Sequence, residues 1–133
     1  MKIHPIRLQP GDDLRSSLWK YVCQYQLTSA WILTAMGSLS VLSVRYAGQE
    51  EAVQLVKDWE ICSLTGTLAT SGVHIHIVSS DEIGHCVGGH LGLGSIVRTT
   101  AEIVLGSAKD IIFQRSIDEH TGYPELDIQQ KNG

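Results

Sequence analysis

Long hydrophobic runs are missing from the 133 residues. None approaches the roughly 20 apolar residues of a membrane-spanning helix, so a helical span is excluded. Residues 1–10 lack the apolar stretch of a secretory signal, and secretion is not expected. Cysteine is scarce: Cys23, Cys62 and Cys86 form an odd, widely spaced set. This argues against a disulfide scaffold and fits a reducing cytosol. Basic clusters are also missing. The ten Lys and Arg residues are scattered with no two adjacent, fourteen Asp and Glu residues bring the formal charge to −4, and residues 117–127 are acidic. A lone protomer of this kind should bind DNA weakly at best, although assembly can gather basic residues that are distant in sequence. Common catalytic signatures are absent too. There is no Gly-x-Ser-x-Gly elbow, neither Cys23 nor Cys62 has a base beside it in sequence, and the glycine-rich run 88–94 lacks the Lys-Ser/Thr ending of a phosphate loop.

What remains is 43% hydrophobic and 18% charged, suited to one domain spanning residues 1–133 with a core over about 6–117. Residues 1–10 read as a short strand carrying Ile3, Ile6 and Leu8, ended by Pro10-Gly11. A helix follows, capped by Asp12 or Asp13, with Leu14, Leu18 and Val22 as one apolar stripe. Ala30 to Leu33 is an apolar run expected of a buried strand. Leu39 and Val41 then alternate in one phase, and Leu42, Val44 and Tyr46 in the other, which predicts a bulge or bend. Residues 48–58 read as a loop or a turn of helix, 59–69 as a strand, and 103–105 and 111–113 as the last strands. From Asp118 the chain turns polar, giving a partly ordered tail over 118–133 with a frayed end at 128–133.

Residues 73–93 carry the chemistry. Strict alternation through Val73-His74-Ile75-His76-Ile77 puts both imidazoles on one face of a strand. Turn residues follow, then the run from Cys86 to Leu93. A hairpin centred on Glu82 sets His74 opposite His90, His76 opposite Gly88 and Val78 opposite Cys86, with Val73, Ile75 and Ile77 meeting Leu91, Gly89 and Val87 on the apolar face. Three imidazoles on one face can converge on a zinc ion and leave a fourth position open. Neutral imidazole is the binding form, so occupancy should fall as pH drops below about 6.5. The same three residues also suit an anion site, a subunit interface or a plain solvent-facing strand. Gly88, Gly89 and Gly92 either leave room for a ligand or allow close packing of sheets.

Around this face, Glu102 is a carboxylate within an apolar strand, able to orient a histidine or carry a proton, or else to pair with Arg98. Arg98 suits an anionic ligand or a surface ion pair. Cys86 is either a soft metal ligand or, as expected here, a small buried apolar residue. His4, His85 and His120 read as surface residues.

The run Gly88-Gly89-His90-Leu91-x-x-Gly94, followed by Thr99-Thr100-Ala101-Glu102-Ile103, resembles the PPC ("plants and prokaryotes conserved") domain. Pro10-Gly11-Asp12-Asp13-Leu14, Gly37-Ser38-Leu39, Ser63-Leu64-x-Gly66 and His74-Ile75-His76 agree in order, so the resemblance spans about residues 6–117. It implies an α+β fold, a largely antiparallel sheet with a packed N-terminal helix, assembled as a homotrimer. It also implies that His74, His76 and His90 match positions thought to hold zinc in bacterial and archaeal relatives. Plant members bind A·T-rich DNA through an Arg-Gly-Arg-Pro core, which this chain lacks, and of their Gly-Arg-Phe-Glu-Ile-Leu segment only aromatic-Glu-Ile survives at 59–61. The expectation is a stand-alone cytoplasmic protein with a binding or regulatory role, DNA-binding by family association only. The alternative is a zinc-dependent hydrolase or lyase acting on a small anionic substrate, with Glu102 or Asp81 as proton carrier.

Overall fold

The computed structural model describes residues 1–132, so the last residue of the expected frayed end, Gly133, lies outside the described residues. The element order is β1 (Lys2–Leu8), α1 (Leu14–Gln24), β2 (Ala30–Arg45), β3 (Val53–Ala69), β4 (Gly72–Ser80), β5 (Cys86–Leu91), β6 (Ile96–Ser107), β7 (Ile111–Ile117) and β8 (Pro124–Gln130). Every paired strand is antiparallel.

The six-stranded sheet runs β1-β6-β2-β3-β4-β5, and β5 returns to pair with the end of β2 through Val44–Leu91 and Arg45–His90. Strands β2 to β5 therefore close on themselves, which removes the open edge that β5 would otherwise present. The closure depends on Gly89. A Cβ there would lie 2.5 Å from the Arg45 carbonyl oxygen and 3.0 Å from Val44 Cγ2, so only glycine lets the two backbones meet. Gly37 plays a similar part between β2 and β6. Its φ is +147°, and a Cβ would collide with the Thr100 carbonyl, so the chain passes through it as continuous strand.

Helix α1 starts where Asp13 accepts a hydrogen bond from Ser16 N at 2.9 Å. The other Asp13 oxygen accepts from Gly94 N at 2.6 Å and ties the cap to the loop before β6. Leu14, Leu18 and Val22 are fully buried in a core with Leu39, Leu42, Leu68, Ile77, Val97, Ile103 and Leu105. The phase change in β2 is a register shift between Leu39 and Val41 against both neighbours, as the sequence pattern predicts.

The expectations for β3, for the tail and for His4 need correction. Strand β3 begins at Val53, six residues before the expected 59. Residues 53–58 are mostly exposed, so they carry no alternation although they pair with β2. The polar tail holds β8, paired with β7 over seven residue pairs, so the chain from 124 to 130 is strand rather than fraying end. His4 is 3% exposed rather than on the surface. Its Nδ1 shares a hydrogen bond with the Tyr21 hydroxyl (3.1 Å) and its Nε2 with Ser107 Oγ (2.8 Å). Among the described residues, no helix is long and apolar enough to cross a membrane.

Candidate metal centre

Strand β4 alternates as its sequence dictates: Ile75 and Ile77 are buried, while His74, His76 and Val78 point outward. The partner alignment differs from the predicted one by two residues. His76, not His74, lies opposite His90, and Gly88 and Gly89 face Val78 and Ile77. The cause is the turn. Asp81 N donates to the His85 carbonyl, and the Asp81 carboxylate accepts from the N–H groups of Ile83 and His85, so the loop is centred on Ile83 instead of Glu82. A shift of two keeps every side chain on its face, whereas a shift of one would have inverted them.

The trio is therefore brought together. His74 stacks on His90 with ring centroids 5.3 Å apart and planes within 11°, and His76 stands edge-on to both, at 4.8 and 4.4 Å. His74 Nε2 and His76 Nε2 are 3.1 Å apart and share a hydrogen bond whose donor depends on the tautomer. The candidate ligand atoms of all three lie within 4.8 Å of one another. Two imidazole nitrogens on one tetrahedral ion, each about 2.0–2.1 Å from it, would sit about 3.3 Å apart. The 3.1 Å separation of the His74 and His76 nitrogens matches that spacing, and all three candidate ligand atoms lie within 4.8 Å of one another. His74 and His76 are exposed and His90 is half-buried, so the face remains open on its outer side.

The surroundings come from three other strands. On β3, Thr65 and Thr67 pair with His76 and His74 and share their face. Arg115 of β7 reaches over this edge and donates from Nη2 to Thr67 Oγ1 at 3.0 Å. On β2, Arg45 pairs with His90 and donates from Nη1 to the Gln49 carbonyl at 2.9 Å. Both histidines respond. Burial lowers the His74 pKa below its ordinary value, helped by His76, Arg115 and His90 and opposed by Glu125 of β8. Burial also lowers that of His90, helped by Arg45 and His76. The neutral, metal-binding form is favoured at both.

The other candidates lie elsewhere. Glu102 sits on β6 opposite Arg7 and Met36, with β2 and β3 between its strand and β4. Arg98 forms an ion pair with Asp58, Nε to Oδ1 3.1 Å. Asp81 is held in its turn and pairs with Lys57 at 3.4 Å. Cys86 is exposed instead of buried. It shares the histidine face but pairs with Ser80 at the mouth of the loop, and its thiol donates to the Gly84 carbonyl at 3.8 Å. His85 and His120 are exposed as expected. Arg45, Arg115 and the two threonines are absent from the sequence-based site. The alternation of β2 signals that Arg45 points outward, but only the closure of β5 onto β2 brings it to His90.

Similar proteins extend this picture. The family model described as the Plants and Prokaryotes Conserved (PCC) domain matches residues 1–109. Bifunctional protein GlmU of Synechococcus sp. (strain JA-3-3Ab) is 41% identical over 130 residues, 98% of this chain. The chain spans about a fifth of the length of the curated relatives it matches, 21% in this case. A hypothetical protein from Salmonella cholerae-suis has a TM-score of 0.96 at 40% identity, over 98% of this chain and 95% of that one. A metal-containing protein from Archaeoglobus fulgidus has a TM-score of 0.79 at 28% identity, over 95% and 93%. A Bacteroides thetaiotaomicron protein with a provisional DNA-binding name has a TM-score of 0.84 at 18% identity, over 94% and 91%, and shares the fold alone. With the family model covering most of its length, this chain belongs to the PCC domain family.

Proposed function

We propose that this chain is a homotrimeric metal-binding protein of the cytosol, in which His74, His76 and His90 of each protomer hold one zinc ion and present its open position to a small ligand. The observation that carries the reading is the convergence of three imidazole nitrogens within 4.8 Å on an open face. Imidazole suits zinc among the divalent metals, and three protein ligands leave room for a fourth group. The metal-containing name of the Archaeoglobus relative agrees with it. Exposed Leu33 and Met36 on β2 and Val56 on β3 support assembly, because apolar side chains on the outer face of a sheet gain by being covered. Three free thiols suit a reducing compartment.

The role is binding or regulation rather than turnover. Hydroxide chemistry at a three-histidine zinc needs a proton carrier. Among the described residues, no carboxylate hydrogen-bonds any of the three imidazoles; Glu102 lies on β6, away from β4, and Asp81 is paired with Lys57. The hydrolase or lyase alternative therefore has the metal ligands without the acid–base partner. DNA contact is a second reading, favoured by the provisional name of the Bacteroides neighbour and disfavoured by a formal charge of −4.

Native mass spectrometry of protein purified without a histidine tag tests both parts at once. The expected species is three chains carrying three ions, with the ions lost and the trimer kept in the variant combining His74→Ala and His90→Ala. A metal-free trimer after incubation with zinc would make the imidazoles interface or surface groups, and a monomer would remove the assembly.

A further inference from the structure

The sequence offers Arg98 as the anion partner of the site, but the ion pair with Asp58 engages that guanidinium. Two other arginines stand beside the imidazoles. Arg45 shares a cross-strand pair with His90, and Arg115 is bonded to Thr67, the cross-strand partner of His74. Directly opposed residues of an antiparallel pair share a face, so both guanidinium groups and the three rings lie on one side of the sheet. The order across that side is Arg115, Thr67, His74, His90, Arg45, with His74 stacked on His90 at its centre.

Each arginine is steadied by one hydrogen bond to a neutral oxygen, the Gln49 carbonyl or the Thr67 hydroxyl. Neither forms an ion pair among the described residues. A guanidinium carries five donors in a fixed fork, so each retains N–H groups for another acceptor. Half-buried cations held without a carboxylate partner, on both sides of a candidate metal site, leave donors that an anion would complete. Among the described residues, an acidic group that acts on His74 is Glu125 of β8, whose carboxylate accepts from Thr121 Oγ1 at 3.1 Å.

We propose that Arg45 and Arg115 are the anion-recognition pair of the three-histidine site, so that its ligand is a small molecule bearing anionic oxygens, a carboxylate or a phosphate. The inference rests on the metal reading, because the anion is placed at the open position of the ion. One arginine belongs to the closed barrel. The other belongs to the β7–β8 hairpin, which lies beyond the 109 residues matched by the family model. The shared domain thus supplies the metal ligands and one cation, and the C-terminal hairpin supplies the second.

Cobalt(II) substitution provides a readout independent of any activity. The full chain is loaded with cobalt and its visible absorption is followed during titration with acetate and, separately, with methyl phosphate. A saturable change is expected, and the anion with the lower dissociation constant identifies the class. Arg45→Gln and Arg115→Gln should each weaken anion binding about tenfold or more, as expected for losing a charged hydrogen-bonding partner. Arg115→Lys should recover part of the loss, and Glu125→Gln should tighten binding. Cobalt affinity should change less than about threefold in all four. Wild-type anion affinity in both glutamine variants, or no spectral response to either anion, would overturn the proposal. Failure of the wild-type chain to bind cobalt, or equal cobalt binding after His74→Ala and His90→Ala, would overturn the metal reading instead. Should circular dichroism show Arg115→Gln misfolded, Arg45→Gln, on a different element, decides the outcome.

Discussion

The protein contains two antiparallel ribbons of similar size, β4–β5 and β7–β8, and they differ in how they are held. In the first, Ile75, Ile77 and Leu91 are buried, and the ribbon is paired on both sides, by β3 and by β2. The second is a separate two-stranded sheet. None of its residues is fully buried, and Ile117, Tyr123 and Ile128 are exposed. It is docked by a few polar contacts: Phe113 N to the Thr28 carbonyl, Thr28 Oγ1 to the Ile111 carbonyl, Ser71 Oγ to the Phe113 carbonyl, and Arg115 to Thr67. An isolated hairpin is marginal in water. The first ribbon is a part of the core that carries side chains outward, and the second is an attachment that leans over it.

Truncation separates the two most sharply. Ile77→Ala removes a fully buried side chain and should cost about 2–5 kcal/mol in urea denaturation, taking the histidine face with it. Phe113→Ala removes a half-buried one and should cost about 1–2 kcal/mol, leaving zinc binding unchanged. Equal costs would mean that the hairpin is as deeply integrated as the barrel.

Between pH 7.5 and pH 5.0, buried His4 should contribute to the pH dependence of folding. Burial, with Lys2 adding to it, lowers the His4 pKa below its ordinary value. Below about pH 6.5 the unfolded chain takes up a proton that the folded one resists. Stability therefore decreases as pH falls below 6.5, and the loss levels off beneath the folded-state pKa. His74 and His90 shift in the same direction and add to the slope of the metal-free protein. His4→Asn should shrink the difference in unfolding free energy between pH 7.5 and pH 5.0. An unchanged difference in His4→Asn would remove His4 as a source.

The same contrast explains what the sequence reveals. Helix α1 and the β4 alternation are legible because each has one buried face, and a buried face is what imposes a period on the residues. The start of β3 and the whole of β8 lack such a face, so their residues look like loop although the backbone pairs. The three histidines are legible as a set, but their pairing is offset by two because the Asp81 cap fixes a loop that the turn residues alone do not specify. His4 carries a signal in its spacing from Ile6 and Leu8, the inward phase of β1, whereas Ile3 is nearly half exposed. Arg45 and Arg115 are not legible as partners of the site. Seventy positions separate them in sequence, and the barrel closure and the hairpin docking bring them to one face.

Cys86 gives the smallest expected effect and bears on the first ribbon's outer end. A buried cysteine at this position would make Cys86→Ser costly through loss of apolar packing, and a thiolate ligand would make it costly for metal binding. The thiol is exposed, and its partner across the ribbon is Ser80 rather than a histidine. Cys86→Ser should therefore change stability by less than about 0.5 kcal/mol. Cobalt affinity should also be unchanged, and the cobalt-loaded protein should show no thiolate charge-transfer band. Appearance of that band in the wild type and its loss in Cys86→Ser would extend the metal centre along the ribbon to its loop. Its absence would confine the ligand set to the three imidazoles nearest the barrel seam, where β5 is paired on both sides.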